Sequence, residues 1–173
     1  MFERSYPMNS GVVKYEGDTG LYEIVNLVGP GHKDKRRIID DLLDEGEVAQ
    51  HANCIRFNFI PGRKHVGGNH YHPVWEKFFL SEGHIALLVV EDMKTKKRGR
   101  FYNIPAGAHI KLPPNVSHAF VVDEECVLVG FMPVRHSPDL EIAYRLVDGQ
   151  TGEEVAREDA ILDETAPLLA TLG

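Results

Sequence analysis

Gly68-Asn69-His70-Tyr71-His72-Pro73-Val74-Trp75-Glu76-Lys77-Phe78-Phe79-Leu80-Ser81-Glu82-Gly83 is the stretch on which the reading of this chain turns. In an extended strand, residues two apart point to the same side, so His70 and His72 present two imidazoles to one face. Glu76 lies a further even step away, and Pro73 suggests a bend that swings its carboxylate back toward the imidazoles. Imidazole with carboxylate suits zinc, iron, manganese or nickel. Cys54 and Cys126 are far apart in the sequence, form no Cys-x-x-Cys pair, and are not placed to join such a site.

On both sides of this stretch the texture is that of strands. Cys54 to Ile60 alternates, with Ile55, Phe57 and Phe59 on one face and Cys54, Arg56 and Asn58 on the other. Similar runs cover 66–72, 76–80, 84–92, 101–104, 109–112, 118–122 and 127–134. Turn-forming clusters separate them, among them Glu82-Gly83, Pro105-Ala106-Gly107 and Pro113-Pro114-Asn115. Many short strands with tight turns predict an antiparallel, closed or nearly closed β structure. Before it, 22–28 reads as one strand and 33–45 as a short amphipathic helix carrying Ile38, Ile39, Leu42 and Leu43. After it, 140–147 reads as a last strand and 153–162 as a terminal helix limited by Pro167. One domain is expected: a 1–50 extension, a 51–136 barrel, and a 137–173 strand and helix packing on it.

A second cluster, Gly107 to His118, supplies what the first lacks. Pro113, Pro114 and Asn115 predict a stiff turn in which Asn tolerates the left-handed conformation. His118 then opens an apolar strand that an antiparallel sheet could bring against the first trio. His70-x-His72-x3-Glu76-x6-Gly83 resembles the first motif of the cupins, and Gly107-x5-Pro113-x-Asn115-x2-His118 resembles the second. Three positions depart from those motifs: Lys64, Asn115 and Val122 replace an expected glycine, glycine and asparagine. None of the three is a ligand position. The resemblance spans about residues 55–133. It implies an all-β jelly-roll barrel (a double-stranded β-helix) with short helices near the termini, and one divalent metal held by His70, His72, Glu76 and His118.

The bulk properties agree with a globular enzyme or binder of small molecules. The chain has 173 residues, 43% hydrophobic and 26% charged, enough to bury a core in one domain. Its formal charge of −7 argues against nucleic acid or an anionic membrane surface as a partner. The one basic run, Lys94, Lys96, Lys97, Arg98 and Arg100, reads as a solvated hairpin tip. No apolar run approaches the length of a membrane span. Neither a secretory leader nor a disulfide framework is read, so a cytoplasmic protein with buried thiols is expected.

Beyond the metal set, the catalytic residues stay open. His65 and His109, near the motifs, are candidates for acid–base or supporting roles, and Arg56 and Asn58 would contact substrate if their face of the strand turns inward; alternation does not say which face does. Tyr71 and Lys77 sit one residue from ligands and so aim away from them. His32, His51 and His136 fall in expected loops, and His84 at the barrel rim. A finer resemblance, in Gly68-Asn69-His70-Tyr71-His72 and Glu76-Lys77-Phe78, is to the small cupins of bacterial surface-polysaccharide pathways, themselves similar to sugar-nucleotide epimerases. It implies a nucleotide-linked keto-sugar as substrate and proton abstraction beside a carbonyl. An iron-dependent dioxygenase and a non-catalytic sensor or sugar-binding protein are the alternatives. A homodimer, paired through N-terminal strands, is expected.

Overall fold

A computed structural model describes residues 12–15, 22–26, 32–33, 38–39, 53–59 and 64–162. Fourteen strands follow in chain order: β1 (Val12–Tyr15), β2 (Tyr22–Asn26), β3 (His32–Lys33), β4 (Ile38–Ile39), β5 (Asn53–Phe59), β6 (His65–Tyr71), β7 (Glu76–Glu82), β8 (His84–Asp92), β9 (Lys97–Pro105), β10 (Ala108–Leu112), β11 (Val116–Val122), β12 (Cys126–Met132), β13 (Ile142–Ala143) and β14 (Ile161–Leu162). One 3₁₀ turn, Pro138–Leu140, precedes β13.

Two six-stranded sheets result, ordered β1-β2-β10-β7-β12-β5 and β13-β6-β11-β8-β9-β14, with β3 and β4 as a separate pair. The described part of the protein is therefore all-β, with sheets of the jelly-roll type. Every strand pairing is antiparallel except that of β14 with β9. The core lies between the sheets. Phe78, Leu80, Ile110, Leu112 and Leu128 meet Leu88, Phe101, Ile104, Phe120 and Val122 in a single cluster. Alternation in the sequence produces this directly: on β7, Glu76, Phe78 and Leu80 are buried while Lys77, Phe79 and Ser81 are only partly covered.

Tight turns hold the register. Gly83 alone joins β7 to β8 at φ 76°, and a Cβ there would collide with the Glu125 carbonyl oxygen. Asn115 takes φ 64° in the turn after Pro113 and Pro114, the left-handed conformation expected of it.

Three expectations are corrected. Ile38 and Ile39 lie in a strand paired with His32–Lys33, not in a helix over 33–45; two adjacent β-branched residues fit a pleat better than a helical face. Residues 34–37 and 40–45 lie outside the described ones. The expected helix over 153–162 is not helical either: Val155 N–H bonds the Leu146 carbonyl, Val147 bridges Glu154, and Ile161–Leu162 joins β9. Nor is 140–147 one strand, since only Ile142–Ala143 pairs as such, with β6.

The basic run is also not a solvated tip. Arg98 is buried, its Nε donating to Glu91 Oε2 at 2.8 Å and its Nη1 to Glu154 Oε1 at 2.7 Å. Arg100 also bonds Glu154, and Lys96 lies over the Tyr144 ring. The C-terminal segment thus covers the outer face of β8 and β9, and alternation turns Arg98 and Arg100 toward it. Of the two free thiols, Cys126 is buried as expected, but Cys54 is exposed.

Candidate metal centre

Two sheets and one turn converge on the site. His70 on β6 stands opposite His118 on β11 in register. Glu76, the first residue of β7, comes from the facing sheet, and His72 from the bend between β6 and β7. The convergence depends on an irregularity. Opposite β6 the pairing of β11 slips between His118 and Ala119, leaving Asn69 as an extra residue, as in a β-bulge. Gly68 and Asn69 accordingly have φ 81° and 65°. A Cβ on Gly68 would lie 2.5 Å from the His118 carbonyl oxygen, so glycine lets the two histidine-bearing strands approach.

Side-chain nitrogens or oxygens of His70, His72, Glu76 and His118 all lie within 4.8 Å of one another. Glu76 Oε2 is 3.5 Å from His72 Nε2 and 3.5 Å from His118 Nε2. Those gaps are too long for hydrogen bonds, and Glu76 Oε2 is buried with no hydrogen-bond partner. Two donors each about 2.0–2.2 Å from one cation at tetrahedral angles stand roughly 3.4 Å apart. A divalent ion fits the donor set and would satisfy the orphaned carboxylate oxygen.

The surroundings orient the candidate ligands. His72 Nδ1 lies 3.1 Å from the Leu140 carbonyl; a proton there donates to that oxygen and leaves Nε2 as the lone pair facing Glu76. The backbone of His72 is held too, its carbonyl accepting from Asn115 N–H at 2.7 Å. His70 Nδ1 faces Glu141 Oε2 at 3.7 Å, an electrostatic contact. Burial and the Glu141 charge push the Glu76 carboxyl up to about 8. Burial pulls His70, His72 and, furthest, His118 below the ordinary imidazole range. Three neutral imidazoles and a carboxyl reluctant to ionise alone are groups that a cation would favour.

The four groups form the floor of a cavity of about 210 Å³. Phe57, Phe59, Phe78, Phe120 and Leu128 make its apolar walls, and His136 and Glu141 line it as well. His136 Nε2 is 2.7 Å from Glu141 Oε1. Sequence reasoning missed this pair. The signal available was the Ser137-Pro138 turn: Ser137 caps the 3₁₀ turn, its Oγ accepting from Asp139 N–H, which folds position 141 back toward 136.

The other candidate groups are not brought to the cavity. Arg56 and Asn58 are exposed, because Phe57 and Phe59 take the inner face of β5. His109 alternates with Ala108 and Ile110 of the core, so it points to the opposite face of β10, against the Phe79 ring at 5.0 Å. His65, at the start of β6, lies beside the Phe59 ring with centroids 6.1 Å apart and is not among the residues that line the cavity. His84 sits between Asp123 and Glu124.

No family model matches the sequence, and no curated protein matches it. Solved structures do match in fold. A dTDP-4-dehydrorhamnose 3,5-epimerase from Elizabethkingia anophelis is 17% identical, with 92% of this chain and 96% of that one covered and a TM-score of 0.62. The same enzyme from Bacillus anthracis gives 14%, 91%, 99% and 0.63. A TDP-fucose-3,4-ketoisomerase from Campylobacter jejuni gives 13%, 78%, 89% and 0.52. The fold is thus the cupin-like one found in enzymes that modify sugar nucleotides. No helix among the described residues is long and apolar enough to cross a membrane.

Proposed function

We propose that this protein is a metal-dependent isomerase or epimerase acting on a small carbonyl compound such as a nucleotide-linked keto-sugar. The observation that carries the reading is the buried, unbonded Glu76 Oε2 set between the imidazoles of His72 and His118 on the floor of a cavity. The fold shared with sugar-nucleotide epimerases and a ketoisomerase supports the substrate class. Zinc, iron, manganese or nickel bound by His70, His72, Glu76 and His118 would polarise the carbonyl as a Lewis acid. The cavity of about 210 Å³ is on the scale of one sugar ring. The phenylalanine walls exclude water from that ring, which strengthens charge interactions inside. They also favour a second reading, an iron-dependent dioxygenase for an apolar substrate.

Elemental analysis of protein purified without chelator or nickel resin tests the site: we expect about one ion per chain, and His70→Ala and His118→Ala without it. Stoichiometric metal in both variants would remove the assignment. Anaerobic incorporation of solvent deuterium into a keto-sugar nucleotide marks the isomerase, and oxygen consumption with iron marks the dioxygenase. A ligand that raises the melting temperature without either reaction marks a binding protein.

A further inference from the structure

The stretch between β12 and β13 adds to the cavity two groups that the metal set does not use. His136 lines it, and Glu141 Oε1 holds His136 Nε2 at 2.7 Å. The other oxygen of Glu141, Oε2, faces His70 Nδ1 at 3.7 Å. One carboxylate therefore stands between a candidate metal ligand and a second imidazole, and fixes the second. With Nε2 committed to Glu141, the nitrogen of His136 left for proton transfer is Nδ1. An imidazole oriented by a carboxylate beside a cavity is the arrangement a general base requires.

The rest of the cavity limits the reaction. Its walls are Phe57, Phe59, Phe78, Phe120 and Leu128, none with an exchangeable proton. Among the described lining residues, proton traffic at carbon is confined to one neighbouring pair. Inverting a carbon requires removing a proton from one face and returning one to the other. Moving a carbonyl to the adjacent carbon requires a single base on a single face.

We propose that His136 is the catalytic acid–base of a one-sided carbonyl shift, a ketoisomerisation, with Glu141 as its positioning residue. The inference rests on the metal-dependent isomerase reading and narrows it. The C–H bond beside the carbonyl breaks, the proton passes to His136 Nδ1, and the electron pair enters the carbonyl to give an enolate. The imidazolium returns that proton, or one exchanged from solvent, to the former carbonyl carbon. The hydroxyl proton on the neighbouring oxygen crosses to the former carbonyl oxygen. The carbonyl moves by one carbon, and no atom or electron is gained or lost.

The test uses the zinc-loaded full chain, anaerobic deuterium oxide and dTDP-4-keto-6-deoxyglucose, with products read by NMR. The expected result is a carbonyl shifted to the adjacent carbon and deuterium at the carbon it left. His136→Asn and His136→Gln should keep full metal content and an unchanged circular dichroism spectrum while exchange falls about 100-fold or more. Glu141→Gln should lower kcat with KM kept within a few-fold, and Glu141→Asp should restore part of kcat. An inverted carbon with the carbonyl unmoved overturns the one-sided shift and leaves the wider isomerase or epimerase reading standing. Undiminished exchange in both His136 variants, or exchange lost together with metal or fold in both, overturns the role of His136 alone. A zinc-loaded wild type that exchanges nothing removes both the reading and the inference.

Discussion

Glu76 carries the clearest electrostatic signature of the molecule. With its carboxyl pushed up to about 8 by burial and the Glu141 charge, Glu76 is mainly protonated at pH 7. Loading a cation must expel that proton, because the ligand is the carboxylate. Titration calorimetry with Zn²⁺ at pH 7, repeated in buffers of different ionisation heat, should report release of about one proton per ion, and affinity should weaken about tenfold per unit of falling pH. No proton release would contradict the burial argument. The sign for the metal-free protein is the reverse of that for an ordinary surface carboxylate. A carboxyl raised in the fold stabilises the folded state in acid and loses that contribution as pH rises through about 8. Glu76→Gln should therefore make the metal-free protein more stable than wild type at pH 9, by denaturant unfolding, while abolishing metal binding. The four groups proposed as ligands were legible in the sequence: His70, His72 and Glu76 from residue type and even spacing, His118 from the second cluster and the resemblance to the cupin motifs. His136 and Glu141 were not, because five residues in a stretch without periodicity fix no common face until the 3₁₀ turn is in place.

At the scale of elements, β6 with its bulge does two jobs. Its inner residues face the cavity, while Asn69, the extra residue, clasps the C-terminal segment on the other side. Asn69 Oδ1 accepts from Leu146 N–H at 2.8 Å and Val147 N–H at 2.9 Å, and its Nδ2 donates to the Val147 carbonyl at 2.9 Å. Leu146 and Val147 then pack against Val89, Ala119 and Val121. Asn69→Ala leaves buried backbone groups unpaired, which costs about 1–3 kcal/mol each, so the urea midpoint should fall clearly; an unchanged midpoint would show the clasp to be dispensable. The ion cluster on the neighbouring strands sets a larger effect. Arg98→Ala strands Glu91, which is fully buried and otherwise bonded by Tyr144 Oη, and breaking such a buried pair costs about 3–5 kcal/mol. Alternation made 76–80 readable face by face, since one covered face leaves a period of two. It failed at 153–162, where helix-compatible composition is overridden by Glu154 bonding Arg98 and Arg100, partners more than 50 positions away. The same long-range pairing hid Arg98 within what looked like a solvated charge run.

Across the whole molecule, the two sheets end on β1 and β5 and on β13 and β14 among the described strands. Unpaired edges are surfaces on which a second copy could add, and we propose a homodimer. Sedimentation equilibrium should give twice 19.4 kDa; a monomer mass would remove the proposal. The overall architecture was readable because turn residues punctuate the chain at short intervals. How the sheets face each other was less so, since alternation assigns partners to a face without saying which face turns inward, as Phe57 and Arg56 illustrate.

His70 and His118 belong to one sheet and Glu76 to the other, so a bound cation would rivet the two layers of the sandwich through its middle. Zinc at a hundred times its dissociation constant should add about 2.7 kcal/mol of stability. Amide hydrogen exchange along β6, β7 and β11 should slow together on loading and quicken together on chelation. The centre that would activate a substrate would then also set how freely the layers part, and a chain stripped of its ion would breathe open at the very floor on which chemistry is proposed to occur.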